Sequence, residues 1–121
     1  MARPTTFSSG PRRRLRIGGY RFLKGAGSLE HVRHGIQAKL GRFKDRILDL
    51  DLLLQDEASP SGERYFLCSL AVHLDGGPSI QVERLAGDPL DAFDHALGVA
   101  ERQVRKTLMG HGLPDLVLPI P

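Results

Sequence analysis

The stretch from Asp88 to Gly110 carries the strongest helical pattern in the chain and most constrains its fold. Asp88 is suited to accept a hydrogen bond from a free amide at a helix start, and Pro89 has no amide to leave unpaired. The apolar residues recur at three- and four-residue steps, namely Phe93, Leu97, Ala100, Val104 and Leu108. This spacing predicts an amphipathic helix that buries one face against the rest of the domain.

Charged residues are sorted by sign along this helix. Asp91 and Asp94 lie near its start, whereas Arg102, Arg105 and Lys106 lie near its end. This order complements the helix dipole, and three neighbouring cations are also able to hold phosphates. From this helix alone, an ordinary surface helix explains the charges as well as a phosphate-binding helix does.

Another amphipathic helix is predicted from Ser28, which is suited to the N-cap position, with Glu30 in the first turn. Its apolar stripe consists of Leu29, Val32, Ile36, Leu40 and Phe43. A second basic cluster lies near the end of this helix, with Lys39, Arg42 and Arg46 on a common face and Lys44 close by. The two predicted helices therefore both end in cations.

Four further segments alternate between apolar and polar residues, as strands with one buried face do. They span residues 14–17, 48–54, 65–74 and 80–83, and turn residues occupy 55–62 (QDEASPSG) and 75–78 (DGGP). The element order is β-α-β-β-β-α, with a parallel first pair of strands and an antiparallel meander after it. We predict an α+β fold, a four-stranded mixed sheet with two helices packed on one face. The basic ends of both helices then point in the same general direction.

The formal charge of +3 conceals a strong asymmetry between two parts of the chain. Residues 1–46 contain twelve lysines and arginines and two acidic residues, a charge of +10. Residues 47–121 contain five basic and twelve acidic residues, a charge of −7. Such segregation indicates a polyanionic partner such as RNA, although a solvated basic face also accounts for it.

The length of 121 residues suits one domain, which we place at residues 14–110. Residues 1–13 have no apolar periodicity and are predicted to be a flexible basic arm, and residues 111–121 to be an apolar, proline-rich tail. Four arginines in or next to the arm are candidates for contacts with phosphates: Arg12, Arg13, Arg14 and Arg16. Neither a secretory signal nor a membrane-spanning run is present, and one cysteine in a strand pattern favours a reducing, cytoplasmic setting.

Enzymatic and metal-binding readings find little support in the sequence. His31 and His34 lie one helical turn apart, but no carboxylate or thiol is obviously placed to complete a metal site. Cys68 and His73 lie five residues apart in a strand, so they point to opposite faces. Asp49 and Asp51 share a face, but nothing else converges on them. We therefore expect no enzyme, metal, cofactor, small-molecule substrate or membrane contact.

The second-helix sequence DPLDAFDHALGVAERQVRKT (88–107) resembles the ribosome hibernation-promoting factor family, also called ribosome-associated translation inhibitors. The segments HVRHGIQAKLGRFKDRI (31–47) and HLDGG (73–77) resemble the first helix of that family and the turn after its third strand. The resemblance covers residues 14–110, although residues 17–27 depart from the usual family sequence. It implies a short, single-domain form with a fold similar to double-stranded-RNA-binding modules.

The resemblance also implies a function. A protein of this kind occupies the messenger and transfer-RNA channel of the small ribosomal subunit, binds ribosomal RNA and silences ribosomes under stress. The RNA-binding residues would be Lys39, Arg42, Lys44, Arg46, Arg102, Arg105 and Lys106. We expect the free protein to be monomeric. The alternatives are a module for another structured RNA or an acidic protein partner, and an oligomeric scaffold that joins basic and acidic parts of different copies.

Overall fold

The computed structural model describes residues 14–23, 25 and 27–109, without the side chain of Tyr20. The predicted arm and tail, including Arg12 and Arg13, lie outside the described residues. The helices and strands are β1 (Arg14–Gly18), α1 (Ser28–Leu40), β2 (Ile47–Ala58), β3 (Arg64–Leu74), β4 (Ser79–Ala86) and α2 (Pro89–Met109), with 3-10 segments at Tyr20–Leu23 and Gly41–Arg46. The predicted β-α-β-β-β-α order is confirmed.

The four strands form one mixed sheet in the order β1-β2-β3-β4. β1 runs parallel to β2, because α1 carries the chain back between them, and the other neighbouring pairs are antiparallel. Leu50 of β2 lies opposite both Leu15 of β1 and Val72 of β3. Successive residues of a strand point to opposite faces, so this register brings the apolar residues of all four strands onto one side. The other side, which we call the open face, carries the polar residues.

Both helices cover the apolar side of the sheet and run parallel to each other. His31 near the start of α1 contacts Asp94 near the start of α2, and Arg42 just after α1 contacts Glu101 further along α2. A Cβ atom at Gly35 would lie 3.2 Å from atoms of Phe93 and Leu97, so a glycine in α1 lets the helices pack closely. The buried face of α2 consists of Ala92, Phe93, Ala96, Leu97, Ala100 and Val104. This core fixes the relative position of the two helices.

The start of α2 agrees with its predicted chemistry. The Asp88 carboxylate accepts hydrogen bonds from the backbone amides of Leu90 (3.0 Å) and Asp91 (3.3 Å), and Pro89 is the first helical residue. The prediction that Ser28 caps α1 is wrong. Ser28 is already the first helical residue, and the N-cap is Gly27, whose φ of 80° suits glycine.

The first helix is shorter than predicted. It ends at Leu40, and the chain continues as the 3-10 segment Gly41–Arg46. Glycine at position 41 has low helix propensity, and its amide donates to the carbonyl of Gln37 as the helix closes. Phe43 remains buried, but three of the predicted basic residues of the first helix, Arg42, Lys44 and Arg46, lie on the 3-10 segment instead.

β2 also differs from its predicted pattern at both ends. A register irregularity between Ile47 and Asp49 buries Ile47 in place of Leu48. At the other end, β2 continues to Ala58, which pairs with Arg64, so half of the predicted turn 55–62 is strand. These changes leave the assignment of the two sheet faces intact.

Candidate nucleic-acid interface

The basic ends of the two helices meet at one carboxylate. Glu101 Oε2 accepts a hydrogen bond from Arg42 Nη2 at 3.0 Å and another from Arg105 Nη1 at 2.8 Å. The two arginines come from different elements, the 3-10 segment after α1 and the end of α2. The predicted convergence of the two basic clusters is therefore present.

The electrostatics of this junction favour an additional anion. The Glu101 side chain is 14% exposed, whereas Arg42 and Arg105 are 60% and 43% exposed. One carboxylate thus faces two guanidinium groups, which leaves an excess positive charge at the surface. Glu101 also restrains both side chains, so part of the entropy cost of ordering them is met before any ligand binds.

The remaining predicted cations belong to the same two basic segments of the chain. Lys39, Lys44, Arg46, Arg102 and Lys106 are all exposed. Within residues 14–109 as described, Lys39, Arg46, Arg102 and Lys106 have no ion pair with a carboxylate. Arg46 lines a surface depression together with Thr107 and Leu108 at the end of α2, next to the β3–β4 turn. We name the seven residues Lys39, Arg42, Lys44, Arg46, Arg102, Arg105 and Lys106 the helix-side cations.

Arg14 and Arg16 belong to a different surface. Both lie on the open face of β1, because the residue between them, Leu15, points into the core. Arg16 binds Asp51 through two hydrogen bonds of 2.6 and 3.1 Å, and Arg14 Nε lies 3.9 Å from Asp49 Oδ1. These two candidates for phosphate contacts are therefore separated from the helix-side cations by the thickness of the domain.

Asp51 is the centre of a polar row across the sheet, contrary to the expectation that nothing converges on Asp49 and Asp51. His73 Nε2 lies 3.0 Å from Asp51 Oδ2, and His73 Nδ1 lies 3.0 Å from Ser79 Oγ. The hydrogen bonds from Arg16 lower the pKa of Asp51 despite its partial burial, and His73 acts in the same direction. Asp51 in turn raises the pKa of Arg16.

This row contains serine, histidine and aspartate, but its geometry suits cross-strand pairing better than hydrolysis. Asp51 already accepts two hydrogen bonds from Arg16, so it does not act on His73 alone as the aspartate of a hydrolytic triad does. Cys68 carries another candidate nucleophile. It is buried on the opposite side of the sheet, and burial raises the pKa of its thiol to about 12. A thiol with this pKa is almost entirely protonated at neutral pH and so a weak nucleophile.

Metal-binding residues are also sparse in the described part of the chain. His31 does meet a carboxylate, since its Nε2 atom lies 2.8 Å from Asp94 Oδ1. Among the described residues, however, no group of three metal-ligating side chains comes together. Nor does either described helix have the length and apolar character needed to cross a membrane.

Three residues near the helix-side cations were not predicted from the sequence, namely Arg84, Gly98 and Glu101. Glu101 joins the clusters, and Arg84 of β4 lines a depression on the exposed side of α2 together with Gly98 and Arg102. The contact partners of Glu101 are distant in sequence, so no local pattern identifies it. Gly98 lies within a predicted helix, and a glycine at such a position is a local feature that could have indicated this depression.

The fold defines the chain as a small α+β domain with two helices on one side of a four-stranded sheet. It is similar to the N-terminal domain of Protein Y from Thermus thermophilus, with 24% identity and a TM-score of 0.57 over 76% of this chain and 93% of that one. A ribosomal subunit interface protein from Coxiella burnetii is similar at 16% identity and a TM-score of 0.57, over 78% and 97% of the two chains.

Both structures match the hibernation-promoting factor family that the sequence resembles. At these identities the likeness establishes the fold. No protein-family model matches the sequence, and comparison with curated protein sequences finds no match.

Proposed function

We propose that this protein is a ribosome-associated translation inhibitor, or hibernation factor, of the family that its second helix resembles. It binds the small ribosomal subunit in the messenger and transfer-RNA channel, in the cytoplasm and under stress. The observation that carries this proposal is the junction at Glu101, where Arg42 and Arg105 from two elements form one cationic surface. The fold shared with a ribosomal subunit interface protein supports it.

The helix-side cations suit RNA backbone recognition because folded RNA is bound mainly through its phosphates and shape. They project from a rigid scaffold, and their positive charge is only partly matched. The four described phenylalanines are poorly placed to stack on bases, since Phe43 and Phe93 are buried and Phe22 packs against Phe66. We infer a binding protein whose affinity falls steeply with salt as counterions return to the RNA.

Co-sedimentation of the full chain with purified small and large ribosomal subunits tests this proposal. The wild-type protein should sediment with small subunits at moderate salt. Combined replacement R102E/R105E/K106E should abolish this, because it reverses three charges at the end of α2. Unchanged far-ultraviolet circular dichroism would establish that the variant is folded.

Two results would contradict the proposal. One is undiminished co-sedimentation of the triple variant. The other is a wild-type protein that ignores ribosomal subunits and binds free structured RNA or an acidic protein equally well or better. That second result would favour one of the alternative partners named for the sequence.

A further inference from the structure

The surface of α2 beside β4 has a depression that Gly98 helps to line. Arg84 of β4, together with His95 and Arg102 of α2, lines it. This depression lies on the solvent side of α2, whereas the junction at Glu101 lies on the side that faces α1. It is therefore a separate part of the surface, joined to the helix-side cations through Arg102.

The fold does not explain why position 98 is glycine. A Cβ atom there would meet only Arg102 Nη1, at 3.8 Å, which is ordinary contact with the end of a flexible side chain. Glycine lowers the stability of a helix interior, and Gly98, which is partly exposed, lies in the middle of α2. Gly35 of α1 differs, because close packing against Phe93 and Leu97 accounts for it.

Because glycine has no side chain, Gly98 allows another backbone to approach the surface of α2 closely. The charges around Gly98 indicate the chemistry of that backbone. Arg84 donates one hydrogen bond to its neighbouring carbonyl, that of Glu83, at 2.8 Å, and its other N–H groups remain available. Among the described residues, neither Arg84 nor Arg102 forms an ion pair.

One carboxylate also borders the depression. Asp94 is hydrogen-bonded to His31 of α1 at 2.8 Å, so its charge is directed toward the other helix. Two unpaired guanidinium groups therefore dominate the electrostatics of the depression, and they belong to two different elements. The packing of α2 beside β4 brings these two residues to the same depression.

We propose that the depression at Gly98 holds the sugar-phosphate backbone of an RNA strand, with Arg84 and Arg102 binding its phosphates. This inference rests on the proposed function and extends it. It adds Arg84 and Gly98 to the interface and carries the RNA path from the helix ends across the outer side of α2 to the sheet edge at β4. The missing side chain lets the strand lie against the helix backbone.

The test measures the affinity of the full-length chain for small ribosomal subunits alongside its thermal stability. G98A should raise the melting temperature, because alanine has a higher helix propensity, yet weaken binding by roughly threefold to tenfold. G98Q places a longer side chain over the depression and should weaken binding by more than about tenfold. R84Q should weaken binding roughly fivefold through loss of a phosphate contact.

Two matched controls separate this effect from general changes in charge or helix content. R64Q removes an arginine from β3, where it pairs with Asp56, and changes the net charge as R84Q does. Q103A introduces alanine at another exposed position of α2. Both should bind within about twofold of wild type.

Three outcomes would count against the inference. Wild-type affinity of both Gly98 variants would overturn it while leaving the proposed function intact. A fall in the melting temperature of G98A would also overturn it, since the fold itself would then require the glycine. A wild-type chain that fails to bind small subunits would overturn both proposals together.

Discussion

Two pairs of arginines on opposite sides of the sheet differ in how many carboxylates they meet. On the open face, Arg14 and Arg16 meet Asp49 and Asp51, one carboxylate for each arginine. On the helix side, Arg42 and Arg105 share Glu101. The first arrangement is close to neutral, and the second keeps a positive charge at the surface.

Under the proposed function, this difference predicts that a polyanion binds where arginines outnumber their carboxylate partners, and not simply where a segment contains many cations. Residues 1–46 are strongly basic, yet the arginines of β1 are matched across the sheet by aspartates of β2. The open face also exposes Leu53 (43%) and Leu85 (55%), which contribute nothing to phosphate binding. Under the proposed function, we therefore expect RNA to bind the helix side and not the open face.

The largest expected effect comes from neutralising matched pairs of cations on the two sides. R102Q/K106Q should weaken binding to small subunits roughly 10- to 100-fold, because it removes two phosphate contacts. R14Q/R16Q makes the same change in net charge and should weaken binding by less than about threefold, since Asp51 binds Arg16 and the carboxylate of Asp49 lies near Arg14.

Equilibrium binding with labelled protein at one fixed salt concentration compares the two variants directly. Equal losses of affinity in the two variants would contradict the expected difference between the two sides and would indicate a general effect of net charge. A larger loss for R14Q/R16Q would place the RNA on the open face.

A smaller effect is expected from D51N, and it concerns stability alone. The replacement weakens the row formed by Arg16, Asp51 and His73, and should cost about 1 kcal/mol of unfolding free energy near neutral pH. Affinity for small subunits should stay unchanged. Urea unfolding of both proteins measures the cost, and a loss of affinity would mean that the open face takes part in binding.

The difference in unfolding free energy between wild type and D51N should depend on pH. Folding lowers the pKa of Asp51, mainly through the hydrogen bonds from Arg16. Its stabilising contribution is thus fully present above the unfolded-state pKa of about 3.9 and is lost as the pH falls through the lower folded-state value. The gap between wild type and D51N should therefore close below about pH 4. A gap that persists in stronger acid would contradict this account.

The smallest effect is expected from E101Q, which removes the one carboxylate at the helix junction. Arg42 and Arg105 would lose their charged partner, so affinity should rise about threefold and the salt dependence should steepen. Binding measured over a series of salt concentrations checks both changes. Weaker binding would contradict this prediction, in which the gain in positive charge outweighs the loss of the restraint that Glu101 places on the two arginines.

Local chemistry made much of the fold predictable. Asp88 and Pro89 fix the start of α2 because capping depends on neighbouring residues alone. Alternation likewise identified the strands and their buried faces. The element order then allows few ways to arrange two helices and four strands in one domain.

Features that depend on residues distant in the sequence were not predicted. The early end of α1 at Leu40 and the burial of Ile47 in place of Leu48 reflect packing and strand register. The role of Glu101 depends on how closely two helices approach, and that of Arg84 on its position beside α2. The pairing of Arg16 with Asp51 depends on a register that no local pattern sets.

The most direct test of the central claim, that the helix side faces ribosomal RNA, uses an iron chelate attached to one introduced cysteine. The chain's one cysteine, Cys68, is buried, and its raised pKa of about 12 keeps it from reacting in the folded protein. Q103C places the chelate on α2, and Q81C places it on the open face of β4. Both positions are exposed.

In complexes with small subunits, radicals from the chelate should cleave the RNA backbone near position 103 and leave it largely intact near position 81. Cleavage from position 81 with none from position 103 would contradict the account.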